Sequence, residues 1–256
     1  MNRNRVLAVI PARYSSTRFP GKPLVSIAGK PMVAQVVARA REAGCFDEVL
    51  VATDDRRIAR AATAAGARPV LTGECRSGTD RVAMAVKGEK ARVVINVQGD
   101  EPALPPANLR LLAEYLLAHP ETPLATLALP ASTDEFSRPD VTKVVCDLAG
   151  RALFFSRAPI PYPRNPRPGV ARKHVGLYGF QREALFEFAA WPESELELVE
   201  GLEQLRALQH GMAIQVLTAT ADSVAVDVPA DVPRAEAALA ALQRPVPGAR
   251  ARGFKR

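Results

Sequence analysis

Hydrophobic and polar positions fall into two alternating rhythms over the first hundred residues. Short apolar or β-branched runs at Val6–Ile10, Glu48–Ala52, Arg68–Leu71 and Arg92–Val97 each end in polar or glycine-containing sequence. Between them, Met32–Ala43, Arg56–Ala65 and Thr79–Lys87 carry helical patterns. Strand–loop–helix units in this order predict right-handed crossovers and a mostly parallel central sheet flanked by helices, the α/β class. Ligands of such sheets sit beyond the carboxyl ends of the strands. Those ends lead here into the loops Ala12–Lys22, Thr53–Asp55, Gly73–Gly78 and Gln98–Pro102.

The second half is less regular. Pro106–Ala118 predicts a helix and Leu124–Leu129 a strand, while Val141–Cys146, Ala152–Ser156 and His174–Phe180 read as strands of a smaller inserted β-containing subregion. Ala158–Val170 holds five prolines and is expected to be loop. From Glu195 to His210 the leucines at 198, 202, 205 and 208 predict one continuous helix, followed by a strand at Met212–Leu217 and a closing helix at Val232–Leu242. With no internal repeat and no low-complexity linker, residues 1–243 are expected to form one domain.

Composition narrows the function classes. Of 256 residues, 48% are hydrophobic, yet no apolar run approaches the ~20 residues of a membrane helix. The N-terminal run Val6–Ile10 stops at Pro11 and enters a charged loop without a small-residue cleavage site, so it reads as a buried strand of a cytoplasmic protein. Cys45, Cys75 and Cys146 are far apart and lack zinc spacing, and His119, His174 and His210 are isolated. The net charge of +7 is mostly terminal. Arg244, Arg250, Arg252, Lys255 and Arg256 supply five of the seven charges with no acid among them. Residues 244–256 therefore read as a basic, solvated tail, and without interleaved aromatics neither nucleic acid nor membrane is an expected partner.

The first loop carries the clearest chemistry. Within Pro11–Leu24, Arg13, Arg18 and Lys22 lie among small hydroxyl residues and a glycine, directly after a buried strand. Backbone N–H groups with guanidinium and ammonium groups make a cradle for polyphosphate. An ATPase-type P-loop is excluded, because Lys22 is followed by Pro23 rather than by Ser or Thr, and no G-x-G-x-x-G fingerprint is present. The order strand, Arg, Ser/Thr, Arg, Pro-Gly-Lys instead resembles the opening of sugar nucleotidyltransferases.

Further blocks sharpen that resemblance. Ala52-Thr53-Asp54, Ser77-Gly78-Thr79-Asp80-Arg81, Asn96-Val97-Gln98-Gly99-Asp100-Glu101-Pro102, His174 to Phe180, Leu202-Glu203-Gln204-Leu205-Arg206 and Val226-Asp227-Val228-Pro229 follow in order. Together they resemble the 3-deoxy-manno-octulosonate (Kdo) cytidylyltransferases, from Val6 to about Leu242. The resemblance implies a Rossmann-like nucleotidyltransferase fold and a homodimer that joins Kdo to CMP from CTP for lipopolysaccharide synthesis. It also implies Mg2+ on Asp100 and Asp227, two carboxylates at apolar strand ends of the kind that bind this ion together with substrate oxygens. Arg13 and Lys22 are expected to act with them in catalysis. Val228 and Ala230 stand where the family usually has Thr and an acid.

By the same resemblance Ala12, Arg13, Arg18, Lys22, Ser77, Gly78, Thr79 and Arg81 take CTP. Gln98, Arg157, His174, Tyr178, Glu203 and Gln204 line the sugar pocket, with Arg157 placed to grip the Kdo carboxylate. Read without the resemblance, Ser77 or Thr79 is a helix cap, and Glu203 and Gln204 are surface polar residues. Two other readings stay open at this stage. One is a cytidylyltransferase for 8-amino-Kdo or sialic acid. The other is a nucleotide- or RNA-binding protein that uses the basic loop and tail.

Overall fold

Strand β1 (Val6–Ala12) leads into the first loop, after which a hairpin of β2 (Ser26–Ile27) and β3 (Lys30–Pro31) hands the chain to α1 (Met32–Ala43). The structure, a computed structural model, describes residues 4–15, 19–165, 167 and 169–242. Next come β4 (Glu48–Thr53), α2 (Arg56–Ala64), β5 (Arg68–Leu71), α3 (Gly78–Ala85), β6 (Val93–Asn96) and α4 (Pro106–Ala118). Then follow β7 (Leu124–Pro130), α5 (Thr133–Ser137), β8 (Lys143–Cys146), β9 (Ala152–Ser156) and β10 (Arg172–Gln181). The chain closes with α6 (Arg182–Ala190), α7 (Glu195–Glu200), α8 (Gln204–Gln209), β11 (Ile214–Thr218) and α9 (Val232–Leu242).

The main sheet runs β11–β7–β10–β6–β1–β4–β5. Ladders β6–β1, β1–β4, β4–β5 and β7–β11 are parallel, whereas β10 is antiparallel to both β6 and β7. The expectation of a mostly parallel sheet holds, with β10 as the strand that runs against it. The β8–β9 hairpin extends this sheet by pairing with the start of β10, whereas His174–Phe180, expected with that hairpin in the smaller subregion, is instead a central strand of the main sheet, between β6 and β7. Alternation along β1 explains why helices cover both faces. Val6, Ala8 and Ile10 pack toward α1, α2 and α4, while Leu7 and Val9 pack toward α3, α6 and α8.

The helix expected over Glu195–His210 is two helices. Gly201, at φ 63°, caps α7 in the left-handed region, and α8 starts afresh at Gln204. Leu198 consequently points to solvent, while Leu202 and Leu205 are buried. The break places Gly201, Leu202 and Glu203 on the wall of a cleft. Among the described residues no helix is long and apolar enough to cross a membrane. The basic tail at 244–256 lies outside the described residues.

Candidate active site

The parallel strands β1, β4, β5 and β6 end on one side, and the loops after β1, β5 and β6 line a cleft of about 510 Å³ there. Lys22 sits on a 3-10 turn that opens at Gly21 in the left-handed region. Its Nζ lies 2.9 Å from Asp100 Oδ2 and 3.3 Å from Asp227 Oδ1. These three residues come from distant parts of the chain, and backbone pairing brings the last two together, because Val226 N donates to Asp100 O at 2.9 Å. Neither Val228 nor Ala230 offers a polar side chain to this turn, which is held instead from Asp231. The Asp231 carboxylate accepts from the backbone N–H of Asp227 and of Val228, at 2.9 and 3.0 Å, and holds the Asp227 turn.

Gly99 lets two backbone segments approach closely. A Cβ there would lie 2.5 Å from the Pro11 carbonyl oxygen, so this glycine lets the Asp100 turn lie against the start of the phosphate loop. Arg81 is nearly fully buried and held by Thr72 Oγ1 and by Asp54 Oδ2 at 3.0 Å. Asp54 also accepts from Tyr14 N at 3.3 Å, which ties the first loop to α3 through Arg81. Ser77 is the N-cap of α3, accepting from Asp80 N, whereas Thr79 turns inward and accepts from Asn96 Nδ2 at 3.2 Å.

A second cleft of about 210 Å³ adjoins the first and shares Gly78, Gln98, Gly201, Leu202 and Glu203 with it. His174 and Tyr178 of β10 project into it, beside Thr79, Asn96 and Gln204. His174 sits between Phe155 and Tyr178, with ring centroids 5.1 and 5.3 Å away. Burial holds its pKa down to about 3, so the ring is neutral at neutral pH. Burial likewise raises the Tyr178 hydroxyl well above its usual range, with Glu203 and Glu101 adding to the effect. The cleft wall also carries polar atoms with no partner among the described residues: Asn96 Oδ1, Glu203 Oε2 and Gln204 Nε2 are all buried. Native interiors rarely leave such atoms unpaired, so a cluster of them beside a cavity fits a polar ligand.

Residues 7–214 match the family model described as Cytidylyltransferase. This chain belongs to the cytidylyltransferase family. A 3-deoxy-manno-octulosonate cytidylyltransferase of Anaeromyxobacter sp. (strain Fw109-5) is 50% identical over 243 residues, covering 94% of this chain and 99% of the relative. One from Myxococcus xanthus (strain DK1622) is 47% identical with the same coverage. A solved structure of CMP:2-keto-3-deoxy-manno-octonic acid synthetase complexed with CTP superposes with a TM-score of 0.88. It is 40% identical and covers 93% of this chain and 99% of its own. A cytidylyltransferase from Leptospira borgpetersenii, at 16% identity and a TM-score of 0.60, shares the fold.

Within this cytidylyltransferase, Ala12, Arg13, Lys22, Ser77, Gly78, Arg81, Asp100 and Asp227 line the larger cleft, and Thr79, His174, Tyr178 and Gln204 the smaller. Gln98 and Glu203 line both. Arg18 lies outside the described residues. Arg157 departs from expectation. Its guanidinium donates to the carbonyls of Glu200 at 2.7 Å, Pro139 at 3.1 Å and Gly201 at 3.4 Å, and it lines neither cleft. Three of its five N–H donors face backbone carbonyls, two of them at the turn between α7 and α8.

Gln204 is buried rather than a surface polar residue. Sequence reading also missed Asn96, a polar residue inside an apolar strand. Glu101, which lines neither cleft, is buried next to Asp100, and burial pushes its carboxyl up to about 7, with Asp100 and Asp222 adding to the rise. A polar side chain within a run of β-branched residues was the available signal for Asn96.

Proposed function

We propose that this cytidylyltransferase transfers CMP from CTP to the anomeric hydroxyl of Kdo and releases pyrophosphate. One observation carries the reading: a cationic, carboxylate-bearing cleft and a cleft of unpaired polar atoms share the wall of Gln98 and Glu203. A nucleotide in the first and a polyhydroxylated acid in the second would meet at that wall. The relatives named above support the choice of Kdo.

Asp100 and Asp227 suit Mg2+. Both converge on one cationic atom, Lys22 Nζ, and carboxylate oxygens are hard ligands. No group of three or more metal-ligating side chains occurs among the described residues, so a bound ion would take its remaining ligands from phosphate and water, as Mg2+ commonly does. When bound, such an ion polarises the phosphate and acidifies a hydroxyl beside it. The chain's own groups do the rest. Lys22 and Arg13 offset charge on the departing pyrophosphate. Ser77, Gly78 and Arg81 border the base end, and Gln98, His174, Tyr178, Glu203 and Gln204 orient the acceptor for in-line attack on the α-phosphorus. The homodimer and the cytoplasmic setting belong to the same proposal, and light scattering on the purified protein tests the former.

Pyrophosphate release with CTP, Mg2+ and Kdo is the direct test, against omission of the sugar and replacement of CTP by ATP, GTP or UTP. Release that depends on both CTP and Kdo is expected. Release only with another acidic sugar would overturn the choice of acceptor. Asp100→Asn should fold and lose turnover by orders of magnitude, and near-wild-type turnover in that variant would sink the metal assignment.

A further inference from the structure

The pairing of β7 with β10 contains an irregularity beside the smaller cleft. His174 and Val175 pair with Ala128 and Leu127, and pairing resumes at Tyr178 opposite Thr126, leaving Gly176 and Leu177 as extra residues. Thr126 is fully buried and fills this bulge. Its hydroxyl donates to the Leu177 carbonyl at 2.7 Å, with the Val175 carbonyl at 3.4 Å. The same Oγ1 lies 2.8 Å from His174 Nε2.

A hydroxyl has one proton, and a carbonyl can only accept. With the Thr126 proton committed to Leu177, Oγ1 can only accept from the histidine, so Nε2 must carry a hydrogen. A neutral imidazole has one N–H, and its other nitrogen is then an acceptor. Nδ1 has no hydrogen-bond partner among the described residues.

We propose that Thr126 is a positioning residue for the acceptor cleft, fixing His174 as the Nε2–H tautomer so that Nδ1 is offered to the ligand as a hydrogen-bond acceptor. The neutral state that burial imposes on the ring supports this. Glu203 Oε2 and Asn96 Oδ1 are unpaired acceptors on the same wall, with Gln204 Nε2 as an unpaired donor. The cleft therefore asks for hydroxyl groups that donate. A lone pair at Nδ1 rejects a carboxylate at that point, which places the sugar's carboxylate elsewhere in the cleft. The ligand side of this inference rests on the reading of the cleft as the sugar site, whereas the tautomer does not.

The test joins spectroscopy to kinetics. Long-range 1H–15N correlation spectra of 15N-histidine protein without ligand, assigned with His174→Gln, should show the His174 proton on Nε2. Thr126→Val removes the hydroxyl at nearly constant shape. It should give a mixed or reversed tautomer and raise the KM for sugar about tenfold, the loss of one hydrogen bond. CTP affinity should change little. Thr126→Ser should restore both readouts. A His174 proton on Nδ1 in the wild type overturns the proposal, as does a Thr126→Val protein that keeps the Nε2–H pattern and the wild-type KM. If Thr126→Val does not fold, the wild-type spectrum and Thr126→Ser still decide. An Nε2–H spectrum from protein inactive with Kdo would sink the choice of sugar and leave Thr126 in place.

Discussion

Replacing Gly99 by alanine tests how the two halves of the larger cleft are held together. The added Cβ would lie 2.5 Å from the Pro11 carbonyl oxygen, where carbon and oxygen normally come no closer than about 3.3 Å. A shift of about 0.8 Å is therefore required. The obstruction is the backbone of a buried strand rather than the tip of a flexible side chain, so it cannot simply swing aside. Gly99 lies outside the left-handed region, which makes the effect steric rather than conformational. Overpacking of this kind costs about 1–3 kcal/mol. The two segments forced apart carry Asp100 and the phosphate loop, and a displacement near 1 Å between reacting groups can lower turnover by about a hundredfold. Urea denaturation and pyrophosphate release, run side by side, measure both effects. Gly88→Ala is the control, because nothing lies within 4 Å of its Cβ position. A Gly99→Ala protein with wild-type stability and turnover would refute the argument.

Two further predictions concern buried polar groups. Arg206 is fully buried, pairs with the buried Glu197 through Nε at 2.8 Å, and lies over the Phe188 ring. Arg206→Met strands that carboxylate and should cost about 3–5 kcal/mol in chemical denaturation; adding Glu197→Gln should recover part of it, and equal losses in the two proteins would show that the pair is not what matters. His174 titrates at about 3 when folded against a usual 6.5, so below pH 6.5 the unfolded chain binds the extra proton. The stability this histidine contributes is complete above pH 6.5 and is lost toward pH 3 at about 1.4 kcal/mol per pH unit. Glu101, raised to about 7, adds a slope of opposite sign that both proteins share, so the readout is the difference: melting curves between pH 5 and 6.5 should lose more stability on acidification in the wild type than in His174→Gln.

The parts of the fold legible in the sequence were those set by local pattern. α1, α4 and β5 match their expected bounds because apolar spacing and flanking breakers act within a few residues. The direction of β10 was not legible, since nothing local distinguishes a strand entering a sheet forward from one entering backward. The leucine spacing over 195–210 suggested one helix because periodicity survives a break of suitable length; Gly201 was the signal against it. At the site, the Lys22–Asp100–Asp227 cluster was placed through blocks of sequence, whereas Asp231 and Thr126 act through hydrogen bonds made only after distant strands pair. The backbone contacts of Arg157 were not legible for a related reason: which carbonyls lie within reach of a guanidinium is settled only when the chain has folded.

The reversed strand β10 gives the two walls of the crevice different stiffness. In the larger cleft, Arg13, Lys22, Asp100 and Asp227 stand on loops or a single 3-10 turn beyond the strand ends. His174 and Tyr178 stand in mid-strand, with ladder bonds to β7 on one side and, at Tyr178, to β6 on the other. Groups carried on regular elements hold their places more tightly than groups carried on loops. On the proposed reading the acceptor lies against the wall braced by strand pairing, and adjustment during transfer is expected on the side whose groups stand beyond the strand ends.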